Sequence, residues 1–235
     1  MSSKPIPRGI WCALDLPDDA AALAMVAAIK DSVVGFKIGM ELFYRYGPEL
    51  VARVARAAGE SKGIFLDLKL HDIPNTVRAA ARSLSRLDFD LLTVHAVGGP
   101  EMVAAAADGI GHGARIIAVT VLTSLDDASL AELGYHEPLA KLTRRLAGLA
   151  LKAGAAGLVC SGLEVTLLRE QFGAEPILVV PGLRMATEEL NSDQRRIVTP
   201  AAARESGGDV LVVGRPITAA PNPAAAAKII TESLN

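Results

Sequence analysis

Short runs of β-branched and aliphatic residues recur along the chain, separated by longer segments in which apolar residues return every three or four positions. Eight runs stand out: IWCALDL (10–16), GFKIGM (35–40), GIFLDLKL (63–70), LLTVHA (91–96), RIIAVTVL (115–122), GLVCS (157–161), PILVVPGL (176–183) and VLVVGRPI (210–217). Each has the length and the Val/Ile/Leu content of a strand buried on both faces. The intervening segments, such as 18–30, 44–58 and 76–86, carry the apolar stripe of an amphipathic helix. Strand–helix alternation repeated eight times predicts parallel strands joined by helical crossovers. That is an α/β fold closing as a single (β/α)8 TIM barrel over residues 1–235. A doubly wound open sheet is the competing arrangement, but no GxGxxG follows the first run, which weakens a dinucleotide-binding reading.

Two connections exceed what a crossover needs. The segment 123–156 holds further helical stretches at 126–133 and 138–153. The other, RMATEELNSDQRRIVTP at about 184–200, is polar and follows the seventh run, on the face where barrels build their active sites. It is expected to act as a lid loop over a ligand, with a solvated helix-capping segment as the plainer alternative.

Composition narrows the partners. The chain is 51% hydrophobic but only 4% aromatic, so its apolar content is Ala, Val, Leu and Ile, which suits β-branched strands covered by Ala/Leu helices. With 24 Lys+Arg against 26 Asp+Glu, the net charge of −2 gives no general attraction to nucleic acid or to an acidic membrane face. Any anion must therefore be held by a local site. Cys12 and Cys160 lie inside apolar runs and read as buried thiols in a reduced compartment. MSSKPIPRGIW lacks the layout of a secretory signal, and the apolar run Ala20 to Ile29 is far short of the roughly 20 residues that span a bilayer. A cytoplasmic protein is expected.

Some charges fall where a barrel interior should be. In GIFLDLKL the pleat puts Phe65, Asp67 and Lys69 on one face and Leu66, Leu68 and Leu70 on the other. The leucines suit the helix-covered outside, so the carboxylate and the ammonium point inward at the C-terminal end of the strand. In the second run Phe36, Ile38 and Met40 are expected to face the helices, while Lys37 shares its face with Gly35 and Gly39. Asp15 sits on the face of Ala13 at the end of the first run. Desolvating an ion costs several kcal/mol, so such charges must be paired. Asp15, Lys37, Asp67, Lys69 and nearby Asp72 supply both signs. A structural ion network would explain any one of them; five at the mouth of a barrel favour catalysis.

The remaining polar residues are less telling. His71 reads as a structural hydrogen-bonder and His95 as a packing residue near the mouth. His112 and His136 show no metal-ligand spacing. Ser161-Gly162 has no hydrolase constellation around it, and Glu188-Glu189 reads as a solvated face.

The string Asp67-Leu-Lys69-Leu-His-Asp72-Ile-Pro-Asn-Thr76 resembles the DxKxxDIxxT signature of the orotidine 5′-phosphate decarboxylase family. Further blocks resemble that family in its order: ALD at Asp15, FKIG at Lys37, TVHAxGG at His95, VLTS at Thr123, VPGLR at Arg184, SDQRR at Gln194 and VVGRPI at Arg215. The likeness runs from residue 10 to residue 217. One departure is Met185, where many members have proline after the lid arginine.

The resemblance implies a cofactor-free decarboxylation of orotidine 5′-monophosphate to UMP and CO2, the final step of pyrimidine nucleotide synthesis. It implies Lys69 as the cation and acid at C6, Asp67 beside the departing carboxylate, and Lys37 and Asp72 continuing the alternating charges. It also implies Asp15 with Lys37 at the ribose, and Thr123 with Ser124 at the pyrimidine edge. Phosphate falls to Arg184, Gln194, Gly214 and Arg215, which makes 184–200 a phosphate-gripping lid. In the family the second Asp and the Thr of the signature come from the neighbouring subunit, so a homodimer with Asp72 and Thr76 acting across the interface is implied. Related sugar-phosphate barrels carry a similar DxKxxD with Mg²⁺, bound with help from an acidic residue at the end of strand two. Lys37 occupies that neighbourhood here, and no metal is expected. A Mg²⁺-dependent sugar-phosphate lyase and a non-catalytic nucleotide-binding barrel remain the alternatives.

Overall fold

The computed structural model describes residues 5–184 and 198–234. Among them, strands β1 (Gly9–Ala13), β2 (Gly35–Gly39), β3 (Gly63–Leu70), β4 (Leu91–His95), β5 (Arg115–Val119), β6 (Gly157–Val159), β7 (Ile177–Val180) and β8 (Val210–Val213) pair in parallel, in chain order, and close with β8 against β1. Helices α1 (Asp19–Ile29), α2 (Met40–Ala58), α3 (Pro74–Leu84), α4 (Pro100–Ile110), α5 (Asp127–Glu132), α6 (Leu139–Lys152), α7 (Val165–Phe172), α8 (Pro200–Glu205), α9 (Arg215–Thr218) and α10 (Pro223–Glu232) lie between or after the strands. The expected (β/α)8 barrel is the fold, and both extra helices of 123–156 are present. None of the described helices is long and apolar enough to cross a membrane.

Pleat alternation divides the apolar residues into two cores. Ile10, Cys12, Leu14, Phe36, Ile38, Leu66, Leu68, Leu92 and Val94 point outward into a large core under the helices. Trp11, Ala13, Phe65, Leu91, Ile117, Val179 and Val212 point inward and fill the barrel itself. Burial of the Cys12 thiol in the outer core pushes its pKa up to about 12, so it stays an unreactive small hydrophobe.

The inner filling is layered from the floor upward. Trp11, Gly35 and Gly63 are in register on adjacent strands. A Cβ on Gly35 would lie 2.4 Å from the indole and one on Gly63 only 2.1 Å from it, so the two glycines make the room that the ring occupies. Phe65 meets Trp11 edge-on, with centroids 6.5 Å apart. Below this floor Asp209 ties the strand starts together. It accepts from Arg169 at 2.6 Å and from the Leu178 amide at 2.9 Å, and it pairs with Arg8 at 3.1 Å.

The sequence expectation differs from the structure at the strand ends. Met40 does not continue β2 toward the helices; it opens α2 and is 42% exposed. Gly39 ends the strand, and α2 then bends at Gly47, whose φ of +63° precedes Pro48. β5, β6, β7 and β8 likewise stop earlier than their apolar runs, leaving the run ends to form the loops of the mouth.

Candidate active site

Above the Trp11 layer, Ala13, Lys37 and Phe65 are in register, and above them Gly39 is level with Asp67. Lys37 therefore leaves the middle of β2 beside small or flat neighbours and rises toward the mouth. A Cβ on Gly39 would stand 3.1 Å from Asp15 Oδ1 and 3.3 Å from Lys37 Nζ, so the missing side chain is the slot in which that ion pair sits. Asp15 follows the end of β1 and is the most exposed member of the group.

Four of the five expected charges form one continuous run. Lys37 Nζ lies 3.2 Å from Asp15 Oδ1 and 3.3 Å from Asp67 Oδ2, and Lys69 Nζ lies 2.7 Å from Asp67 Oδ1. Signs alternate along it, which is what repays desolvation. Burial alone would lower the pKa of Lys37, but Asp67 and then Asp15 oppose it and hold the ammonium above its ordinary value. For Asp67, burial favours the neutral acid. Lys37 and Lys69 overcome it, with hydrogen bonds from Lys69 and Thr93, and the carboxyl stays below its usual range. Both groups are ionised at neutral pH, as an electrostatic site requires.

The backbone under Lys69 departs from a regular strand. Between the pairs Leu66↔Leu92 and Leu70↔Val94, β3 spends four residues where β4 spends two. Lys69 has φ +48°, the left-handed region that costs an L-residue roughly 1–2 kcal/mol, and it is the non-glycine residue found there among those described. Its amide donates to Thr93 Oγ1 at 2.9 Å, and that hydroxyl in turn donates to Asp67 Oδ1 at 3.0 Å. The sequence reading missed both the bulge and Thr93. A threonine inside LLTVH is an ordinary strand former, and a bulge built on lysine lacks the glycine that would announce it.

A cavity of about 470 Å³ opens over the run. Asp15, Lys37, Asp67, Lys69, Thr123, Arg184, Gly214 and Arg215 all line it, with Phe65, Val159 and Val179 as its apolar wall. Ser124 is not among the lining residues. Asp72 and Thr76 are exposed on one side of the mouth, and the Asp72 carboxylate accepts from the Ile73 amide at 2.7 Å. Within one chain the alternating charges thus stop at Lys69. Gln194, Met185, Glu188 and Glu189 lie outside the described residues, as does nearly all of the expected lid; Arg184 and Val198, on either side, are joined by an amide–carbonyl bond of 3.2 Å. The His71 and His95 rings meet at a tilt of 44° with centroids 5.4 Å apart, and burial, His71 and Lys69 hold His95 below its ordinary pKa, favouring the neutral imidazole.

A larger cavity of about 730 Å³ lies at the opposite end of the barrel, among Arg8, Arg115, Phe172 and Asp209. Of its two acids, Glu175 and Asp209, the latter is consumed by the clamp on the strand starts, and that end of such barrels serves stability, so the smaller cavity is the chemical one. No group of three or more His, Cys, Asp or Glu side chains among the described residues is arranged to hold a metal ion.

Comparison with known proteins points the same way as the geometry. The model of the Orotidine 5'-phosphate decarboxylase / HUMPS family matches residues 9–230. A protein of Anaeromyxobacter sp. (strain K) named orotidine 5'-phosphate decarboxylase is 51% identical over 231 residues, covering 98% of this chain and all of its own. One of the same name from Thermobifida fusca (strain YX) is 49% identical over 225 residues, 96% of this chain and 95% of its own. Among solved structures, orotidine 5'-phosphate decarboxylase from Lactobacillus acidophilus superimposes with a TM-score of 0.84 at 38% identity, covering 97% of this chain and 99% of that one. The enzyme of the same name from Pyrococcus horikoshii OT3 gives 0.77 at 26% identity, over 96% of this chain and 98% of that one. With the family model spanning the barrel from β1 to α10, and with relatives about half identical along nearly the whole chain, the chain belongs to the orotidine 5'-phosphate decarboxylase / HUMPS family.

Proposed function

We propose that this chain, as one barrel domain, removes CO2 from orotidine 5′-monophosphate to give UMP, without a metal or organic cofactor. The observation that carries this reading is the unbroken run Asp15–Lys37–Asp67–Lys69 at the mouth of the barrel, ending on an amine that lines the cavity. Relatives about half identical along nearly the whole chain bear the name of that activity.

The chemistry needs such a run. Heterolysis of the bond between C6 and the carboxylate leaves an electron pair on C6 that the pyrimidine ring does not delocalise. CO2 departs, and the pair takes a proton from Lys69 Nζ, whose amine is then reprotonated from solvent. An ammonium fixed beside C6 before the bond breaks stabilises that charge with little reorganisation. Asp67 already holds two ammonium partners and the Thr93 hydroxyl, which supports its role as the anchor of a preset field rather than as a source of strain.

Asp15 and Lys37 hydrogen-bond the ribose, and Thr123, with Ser124 next to it in the chain, meets the pyrimidine edge. Arg184, Gly214 and Arg215, from the loops after β7 and β8, take the phosphate, with Gln194 as a further donor. Barrels commonly bind phosphate on that side. Lys37 also bears on the Mg²⁺ alternative, since its ammonium repels a divalent cation near the end of β2.

Asp72 and Thr76 act in the site of a second copy. Their exposure beside the mouth supports this, as do the exposed apolar side chains Met40, Ile73 and Val97 after β2, β3 and β4, which would be covered in a two-fold dimer.

The deciding experiment follows the fall in ultraviolet absorbance of orotidine 5′-monophosphate with and without a chelator. Equal loss in both is expected. Turnover that the chelator abolishes would overturn the metal-free reading; constant absorbance would overturn the decarboxylase reading, leaving a nucleotide-binding barrel if UMP binds and the sugar-phosphate lyase if it does not.

A further inference from the structure

We propose that Thr93 is a positioning residue, whose buried hydroxyl holds the main chain and the counter-ion of Lys69 together and so aims the amine at the reacting carbon. The inference rests on the decarboxylase reading and extends it to a residue of β4 outside the alternating charges.

Thr93 is fully buried and lies between Leu91 and His95 on the inward face of β4. A hydroxyl has one hydrogen to give and lone pairs to receive. This one gives to Asp67 Oδ1 at 3.0 Å and receives the Lys69 amide at 2.9 Å. Lys69 Nζ reaches the same Oδ1 at 2.7 Å. The three bonds close a ring that leaves Lys69 by its amide, passes through hydroxyl and carboxylate, and returns to Lys69 by its ammonium.

The ring stands where it is most needed. The register of β3 against β4 shifts here, and Lys69 occupies the left-handed region at φ +48°. A backbone in a sparsely populated conformation persists only when its surroundings over-determine it. The hydroxyl supplies an acceptor for the amide of that residue and a donor for the acid that fixes its amine. A valine would fill nearly the same volume and remove both bonds. The amine would then lose its alignment with C6, which matters where charge develops in the transition state and much less in binding a nucleotide that has no C6 carboxylate.

The test compares Thr93→Val, Thr93→Ala and Thr93→Ser in the full-length chain. It measures kcat and KM for orotidine 5′-monophosphate, the Kd for UMP and the melting temperature. Valine and alanine are expected to lower kcat by roughly 10- to 100-fold, the scale of a hydrogen bond to a charged group. KM and the UMP Kd should stay within about threefold, and serine, which keeps the hydroxyl, should recover most of kcat. A folded Thr93→Val enzyme with unchanged kcat overturns the role. So does a serine variant as impaired as valine, or a fall in kcat matched by an equal loss of UMP affinity, since either marks general damage to the fold. A wild-type chain that leaves orotidine 5′-monophosphate intact overturns the decarboxylase reading and this role with it, whereas undiminished turnover in Thr93→Val overturns this role alone.

Discussion

An ammonium helps a developing carbanion only if its place is settled before the charge arrives. Lys69 meets that condition through its immediate neighbours: Asp67 fixes the amine, Thr93 fixes the amide, and the neutral tendency of His95 keeps a further cation from competing beside it. Removing the amine should therefore remove chemistry while leaving the fold, because Asp67 keeps Lys37 and Thr93 as partners. Lys69→Ala is expected to lower kcat by at least about 10³-fold, the scale of a lost acid and a lost cation together. Its UMP affinity, read by calorimetry, should remain close to that of the unaltered chain. Near-normal turnover in this variant would sink the assigned role. The identity of these charged residues was legible in the sequence, because an ion pair on the inward face of an apolar strand contradicts ordinary burial and must be explained. Thr93 was not legible, since nothing in a lone β-branched residue distinguishes a hydrogen-bonding hydroxyl from a strand former.

Each strand of the first three divides its work along its length. In β3 the start, Gly63, makes space for Trp11, the middle, Phe65, packs on that ring, and the end delivers Asp67 and Lys69 to the mouth. Structure and chemistry are thus separated by a few residues of one element. Gly63→Ala would place a methyl group against a buried indole that has nowhere to retreat. Overpacking of that kind costs about 1–3 kcal/mol, and the melting temperature should fall by roughly 2–12 °C. The kcat of the folded fraction should change little. Scanning calorimetry with a parallel assay checks both, and an unaltered melting temperature would show that the floor can yield. Element types were readable because eight apolar runs alternating with amphipathic stretches admit few folds. Their ends were harder to read. Apolar runs continue past the last ladder bond, so Met40 looked like strand and is helix, and the bulge at Lys69 follows from pairing with β4, which no local pattern encodes.

Across the whole molecule, the half of the signature that the single chain does not use points outward. Asp72, Ile73 and Thr76 stand exposed, whereas Asp67 and Lys69 of the same short segment line the cavity. If two copies exchange these residues, Asp72→Asn and Lys69→Ala chains should be inactive alone and complementary when mixed. Random re-association gives one intact site in each hybrid dimer, so roughly a quarter of wild-type specific activity should return. No recovery after subunit exchange has been verified by mass would exclude shared sites. The expectation of a dimer came only from the family likeness, because periodicity describes how a chain packs on itself and is silent about a second copy. One further consequence comes from the aromatic floor. Trp11 and Phe65 seal the interior from below, with Leu91, Ile117 and Val212 packed around them. Among the described residues the cavity therefore opens at the mouth and not through the floor, so in the proposed reaction CO2 leaves on the side by which UMP leaves, either past the seated nucleotide or after it.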